Sequence, residues 1–431
     1  MNGKELLRAI KNGEIHDELL AVYQTEAEVQ IQTARYERAV KEFTHIFNHD
    51  TSSEVHVFSA PGRTEVCGNH TDHQRGEVLA ASISDDVIAV VTPREDGAVQ
   101  LLSEGYDMIT VKTDNLEVDP SEEGTTRALI RGVLARFVSN GYTIGGFNAY
   151  VTSRVLSGSG LSSSAAFETV IGTVLSGLYN DGRVDPVEIA EIGQYAENVY
   201  FGKPCGLMDQ MACSVGALCH IDFADPEKPV VERVDFSLTQ AGYSLCITDT
   251  KGSHADLTPD YAAVPEEMCQ VAALFQAEVL REVPREEVLA QVPLIREKAG
   301  DRALLRAIHF YEECDRVREA VTALREDRFP DFLEVIRCSG QSSFQYLQNV
   351  YPPHDLSHQN TSVALAISEL TLRRAGDAGV CRIHGGGFAG TIQAFVKNDA
   401  VEIYRKAMDD VFGRGACHVL LIRPVGGVQI I

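Results

Sequence analysis

The pattern of apolar and polar positions changes character along the chain. Through residues 1–50, apolar side chains such as Leu20, Val22, Tyr23 and Ile31 are separated by Glu and Gln. This stretch reads as a polar, helical N-terminal extension, and nothing in it resembles a site. From Val55 the period shortens. Val55 and Val57 alternate with polar neighbours, as in a half-buried strand, and the run meets a turn signal at Ala60-Pro61-Gly62-Arg63. Further strands are predicted at residues 87–91 and over Phe147, Ala149 and Val151. A helix is predicted to open at Asp185-Pro186-Val187-Glu188, with Asp as N-cap, Pro in the first turn and Glu at the capping-box position. It closes near Gly202, a C-terminal glycine.

Residues 222–229 hold two prolines and several acids, and a domain boundary is placed there, between 51–225 and 226–431. The second half carries helical patterns at 261–282, 303–325 and 361–375, then strand-like runs at 390–396 and 419–422. There is no internal repeat and no low-complexity tract. Alternating strands and helices predict a two-domain α+β or α/β protein.

Composition narrows the function. The chain has 431 residues, 44% of them hydrophobic and 23% charged, so a packed core is expected. A net charge of −24 argues against nucleic-acid partners, whose phosphates call for a basic surface, and against an anionic membrane surface. A local pocket for a phosphate remains compatible with it. No apolar run is long enough to span a bilayer, and the N-terminus lacks the apolar core of a signal peptide. The ten cysteines are scattered without a Cys-x-x-Cys pair, as expected of reduced thiols in a cytoplasmic protein.

Three glycine-rich clusters carry the chemistry. The most informative is Gly158-Ser159-Gly160-Leu161-Ser162-Ser163-Ser164, set between a strand pattern and a helix pattern (Ala166, Val170, Val174, Leu178). Glycines allow close backbone approach, and a helix opening with free N–H groups favours an anion. This is the design of a phosphate cradle, though no Gly-Lys-Ser/Thr makes it a Walker loop; a linker followed by an N-cap would share the composition. The second cluster, residues 59–73, concentrates Arg63, Asn69, His70, Asp72 and His73, which suits a hydroxyl-rich small molecule but also a solvated loop with one ion pair. The third is His384-Gly385-Gly386-Gly387-Phe388-Ala389-Gly390. Its glycines match a dinucleotide-binding spacing, yet residues 391–396 alternate like a strand where that fingerprint needs a helix. A glycine turn between strands, packed against the site, fits better.

Taken in chain order, the three clusters resemble the motifs of the GHMP small-molecule kinase superfamily, and the resemblance extends from about Phe58 to the C-terminus. The second cluster is most similar to the galactokinase branch, whose signature reads Gly-Arg-x-Asn-hydrophobic-Ile-Gly-Glu-His-Thr-Asp-Tyr against Gly62-Arg63-Thr64-Glu65-Val66-Cys67-Gly68-Asn69-His70-Thr71-Asp72-His73 here. Gly206-Leu207-Met208-Asp209-Gln210 is similar to Gly-Ile-Met-Asp-Gln of that branch, and residues 256–262 resemble the segment carrying its sugar-contacting tyrosine. The resemblance implies the two-domain α+β GHMP kinase fold, with the active site in the cleft between domains. It implies an ATP-dependent sugar 1-kinase acting on the C1 hydroxyl of galactose. Asp209 is the implied catalytic carboxylate and Arg63 its partner. Ser164 and Glu197 are the implied Mg²⁺ ligands, and Gly158 to Ser164 the implied ATP cradle. Asn69, His70, Asp72, Gly206 and Tyr261 are the implied sugar contacts. Sugar and ATP are the expected partners, and a monomer or weak homo-oligomer the expected assembly.

Three departures matter. Asn69 replaces a glutamate that faces the sugar C6 hydroxyl, His73 replaces tyrosine, and His384 replaces threonine. A neutral Asn69 would spare a C6 carboxylate the repulsion of a glutamate, so a galacturonate kinase is an alternative. A non-catalytic sugar sensor is another, although the serine-rich cradle is intact.

Overall fold

The computed structural model describes residues 1–47, 54–155, 161–226, 228–252 and 257–431. Strands are β1 (His56–Cys67), β2 (Glu77–Arg94), β3 (Ala98–Ser103), β4 (Ile109–Lys112), β5 (Gly146–Ser153), β6 (Leu218–Asp222), β7 (Val230–Val234), β8 (Tyr243–Asp249), β9 (Gly379–Ile383), β10 (Thr391–Lys397), β11 (Cys417–Leu420) and β12 (Val428–Gln429). Helices are α1 (Gly3–Asn12), α2 (His16–Tyr23), α3 (Glu26–Phe47), α4 (Thr126–Ser139), α5 (Ser163–Tyr179), α6 (Pro186–Tyr195), α7 (Met208–Val215), α8 (Thr258–Ala273), α9 (Arg285–Ala290), α10 (Val292–Lys298), α11 (Asp301–Arg325), α12 (Phe329–Ser342), α13 (Asn360–Arg374) and α14 (Val401–Phe412).

A large sheet runs β12-β1-β2-β5-β3-β4, with β6 and β7 added beside the first half of β2. A smaller antiparallel sheet runs β11-β8-β10-β9. The two meet where Ile83 of β2 bridges Ile422, just past β11. Residues 222–229 connect β6 to β7 within the large sheet, which therefore extends past residue 225 and recruits the C-terminus through β12. The connection is a polar surface turn, and the same prolines and acids mark turns and linkers alike.

Both faces of the large sheet are covered, and the period-two alternation of β2 records it. Val87, Ala89 and Val91 face the core beneath α4, α5 and α6. Ile88 and Val90 face the opposite side, where they pack with Leu6, Ile10, Tyr36, Val40 and Phe43. The N-terminal extension is thus three helices roofing the sheet. Among the described residues no helix is long and apolar enough to cross a membrane, and all ten cysteines are unpaired thiols.

Two local expectations are corrected. The Ala60-Pro61-Gly62-Arg63 signal does not end β1. The strand continues to Cys67 through register shifts at Pro61/Arg63 and Glu65/Cys67; bulges absorb the extra residues and bend the strand. Glu188 makes no capping box. Asp185 caps α6, accepting from the Val187 N–H at 2.8 Å, while Glu188 accepts hydrogen bonds from Tyr142 and Asn140. Gly202 ends that helix in the left-handed region at φ 80°, after a π-helical turn, residues 196–201.

Candidate active site

The bulged end of β1 lies against the start of α5. The Arg63 N–H donates to the Leu161 carbonyl at 3.2 Å. A Cβ on Gly62 would stand 2.9 Å from that same oxygen, so only glycine permits the approach. Ser162 follows with φ 58°, a left-handed conformation that costs about 1 kcal/mol in a residue with a side chain. It occupies the N-cap position of α5 without capping it. Its hydroxyl donates instead to Asp209 Oδ2.

Asp209 sits in the first turn of α7 and is gripped by Arg63 from β1. Arg63 Nε donates to Oδ1 at 2.6 Å and Nη2 to Oδ2 at 2.8 Å, a bidentate fork. Burial alone would push the Asp209 carboxyl up. The Arg63 guanidinium and the Ser162 hydroxyl outweigh burial and hold it below the usual carboxylate range. Asp209 therefore stands ionised.

A second group of oxygens flanks it. Ser164, in the first turn of α5, donates to Glu197 Oε1 at 3.0 Å. The other oxygen, Oε2, accepts from Gln210 Nε2 at 2.8 Å. Gln210 also holds Glu168 Oε2 at 3.1 Å, while Glu168 Oε1 is buried with no hydrogen-bond partner. Burial, then the nearby Glu197 charge, pushes the Glu168 carboxyl up. These hard oxygens fit a magnesium ion. Among the described residues no set of three or more His, Cys, Asp or Glu side chains forms a protein-only metal cage. Magnesium needs none, since it keeps several waters.

Beside them, the second and third clusters meet. Asp72 lies over Gly206, where a Cβ would meet its Oδ2 at 2.4 Å. His70, itself in the left-handed region at φ 61°, bonds through Nε2 to the Gly386 carbonyl at 2.9 Å. Burial, then His73, lowers its pKa to about 3, so the ring is neutral. The Tyr261 hydroxyl donates to the Gly387 carbonyl at 3.0 Å, and its ring lies where a Gly386 Cβ would be, 2.7 Å from Cε1. The third cluster is the turn between β9 and β10. His384 packs at its entrance, with Nδ1 on Thr391 Oγ1 at 2.9 Å.

Arg63, Ser162, Ser164, Glu197, Asp209, Asp72, Gly206, His70 and Tyr261 are thus placed by these contacts around the converging ends of β1, α5 and α7 and the turn between β9 and β10. Leu161 and Ser163 stand with Ser162 at the α5 opening, whereas Gly158, Ser159 and Gly160 lie outside the described residues. Asn69 departs from its expected place. It has no accessible surface; its amide donates to Glu65 Oε2 at 3.0 Å and to the Gly385 carbonyl at 2.6 Å. Its oxygen accepts from Asn349 Nδ2 at 2.8 Å. An amide committed to protein partners braces the loop and leaves no donor for a sugar.

Two further residues contact these groups. Lys203 reaches Glu197 Oε1 at 2.9 Å; a single lysine after Gly202 carries no sequence signal. Arg382 pairs with Glu65 at 3.0 Å and donates to the Val66 carbonyl at 2.9 Å, tying the small sheet to the second cluster.

Residues 41–93 match the galactokinase galactose-binding signature, and residues 128–217 match the GHMP kinase N-terminal domain. The chain is 30% identical over 356 residues to a galactokinase of Streptomyces coelicolor, covering 83% of this chain and 88% of that one. It is also 30% identical over 379 residues to a galactokinase of Lactococcus lactis, covering 86% and 90%. The crystal structure of the Lactococcus lactis galactokinase complexed with galactose superposes with a TM-score of 0.76 at 27% identity, over 90% of this chain and 98% of that one. A mevalonate kinase shares the fold, with a TM-score of 0.60 at 12% identity over 85% of this chain. The chain belongs to the galactokinase family of the GHMP kinases.

Proposed function

We propose that this enzyme transfers the γ-phosphoryl group of ATP to the C1 hydroxyl of galactose. The observation that carries the reading is the bidentate Arg63–Asp209 pair beside the opening of α5. Phosphoryl transfer asks the protein mainly for positioning and charge neutralisation. Asp209, held ionised, orients the sugar C1 hydroxyl and accepts its proton. Arg63 stabilises the charge that develops on the transferred group. The first turn of α5 presents backbone N–H groups of the kind a helix leaves unpaired, and the nucleotide phosphates bind there.

Ser164 and Glu197 would hold magnesium, with Gln210 orienting the Glu197 carboxylate. Bound there, the ion would offset the negative charge of the ATP phosphates. Asp72 accepts hydrogen bonds from sugar hydroxyls, while His70 and Tyr261 close the pocket against the Gly386–Gly387 turn. The expected setting is the cytoplasm.

Galactose is preferred over galacturonate. The case for a uronate rests on a neutral Asn69 in place of a carboxylate, yet its amide is spent on Glu65 and the Gly385 carbonyl, so it offers a uronate no donor and holds a carboxylate beside it. A panel of sugars with ATP, scored by ADP release, tests the assignment. Galactose should lead it, and a faster galacturonate reaction would overturn it.

A further inference from the structure

Lys203 has a place in the site that the three glycine-rich clusters do not account for. Its ammonium lies 2.9 Å from Glu197 Oε1, the same oxygen that Ser164 approaches at 3.0 Å. The Lys203 side chain is 61% exposed while Glu197 is buried. One cation on a long, flexible, solvated stem therefore covers the carboxylate oxygen that the metal reading assigns to magnesium. A lysine and a divalent ion cannot both sit on one oxygen, because like charges at such a distance repel strongly.

The surroundings leave a displaced ammonium few partners. Asp209 lies within its electrostatic reach but is already forked by Arg63. Glu168 is buried behind Gln210. The backbone around Lys203 is pinned: Gly202 ends the preceding helix at φ 80°, Pro204 follows, and the Lys203 N–H donates to the Glu197 carbonyl at 3.2 Å. The side chain can swing while its root stays fixed. In a chain of net charge −24, a mobile cation at the mouth of an anion site also lowers the electrostatic cost of admitting a polyphosphate.

We infer that Lys203 is a phosphate-binding cation of this site, parked on Glu197 and released to the nucleotide polyphosphate when a divalent ion takes that oxygen. The inference rests on the reading of Ser164 and Glu197 as magnesium ligands. Lysine suits the role as a compact charge on a flexible stem.

Calorimetric titration of the full-length protein and its Lys203→Met and Lys203→Arg variants tests it, using ATP with magnesium, magnesium alone and galactose alone. Lys203→Met should weaken magnesium–ATP binding about tenfold, the scale of one charge-assisted hydrogen bond, and Lys203→Arg should keep most of the affinity. Magnesium alone should bind Lys203→Met more tightly than wild type, because its oxygen is vacated, and galactose affinity should not move. Magnesium–ATP affinity within twofold of wild type in Lys203→Met would overturn the inference and identify the contact as a structural ion pair. If Glu197→Gln leaves magnesium dependence unchanged, the metal reading itself fails and this inference falls with it.

Discussion

Asn69 donates a hydrogen bond to Glu65 at 3.0 Å, and Glu65 in turn pairs with Arg382 at 3.0 Å. In the signature that this loop resembles, the corresponding positions carry asparagine and glutamate, the reverse order. The carboxylate has therefore not been lost from the motif. It has moved four residues, into the bulged part of β1, where Arg382 from the small sheet receives it.

The exchange predicts coupled behaviour. Asn69→Glu places a second carboxylate against Glu65 with one arginine to share, and should cost at least about 1–3 kcal/mol, the range for a mispaired buried polar group. Glu65→Asn leaves Arg382 buried without its counter-charge and should also destabilise. The double variant should recover much of both losses. Urea unfolding of the two single variants and the double variant measures this; simply additive losses would show that the two sites are independent.

The Arg63–Asp209 fork predicts the effect of removing the charge. Asp209→Asn keeps the shape, so ATP binding should stay near wild type while turnover falls by at least about a hundredfold, as for other general acid–base groups. Steady-state rates with a parallel nucleotide titration check it. Near-normal turnover in the folded variant would remove Asp209 from the mechanism.

Buried neutral histidines set the response of stability to acid. Burial lowers His70 to about 3, with His73 adding to it, and lowers His309 to about 4 against the opposing pull of Glu313, where an ordinary value is 6.5. Below 6.5 the unfolded chain binds protons that these two rings refuse, so stability is complete above that pH and falls as pH drops toward 4. At pH 5 the loss approaches about 2 kcal/mol per histidine. Urea midpoints between pH 7 and 4.5 should decline accordingly, and His309→Gln should flatten the decline. A midpoint constant over that range would contradict the assignment.

How the N-terminal helices are joined to the fold predicts a stability effect remote from catalysis. Asp86 in β2 accepts from Tyr23 at 2.6 Å, from Arg35 and Ser59, and from Arg423 at 3.2 Å. This fully buried carboxylate joins α2, α3, β1 and the C-terminal tail. Arg35→Met should cost about 3–5 kcal/mol, the range for breaking a buried ion pair from one side. Guanidinium unfolding measures it, and a loss below about 1 kcal/mol would show that Arg423 suffices alone.

Arg63 and the Ser162–Ser164 run are legible in the sequence because they lie in motifs of distinctive composition, whereas Asp209 and Glu197 are legible only through the family resemblance. The β9–β10 glycine turn is legible from the alternation that follows it. The Glu65–Arg382 pair, separated by 317 positions, carries no local signal, and only folding brings its members together. The same holds for Asn69. Its residue type suggests a sugar contact, but its partners Glu65, Gly385 and Asn349 decide what the amide does. Pro61 and Gly62 resemble a strand end because a bulge and a turn use the same residues. The N-terminal extension reads as merely polar because its apolar positions are spread over three helices, and the Asp86 cluster that fastens them draws on residues far apart in the chain.

The position of the phosphate on the product tests the central claim most directly. Wild-type protein incubated with galactose, magnesium and ATP should give ADP and an equal amount of galactose phosphorylated at C1, seen as an anomeric phosphate by phosphorus NMR, and Asp209→Asn should give almost none. Absence of galactose-dependent ADP release, phosphate on another hydroxyl, or a faster reaction with galacturonate would contradict the account.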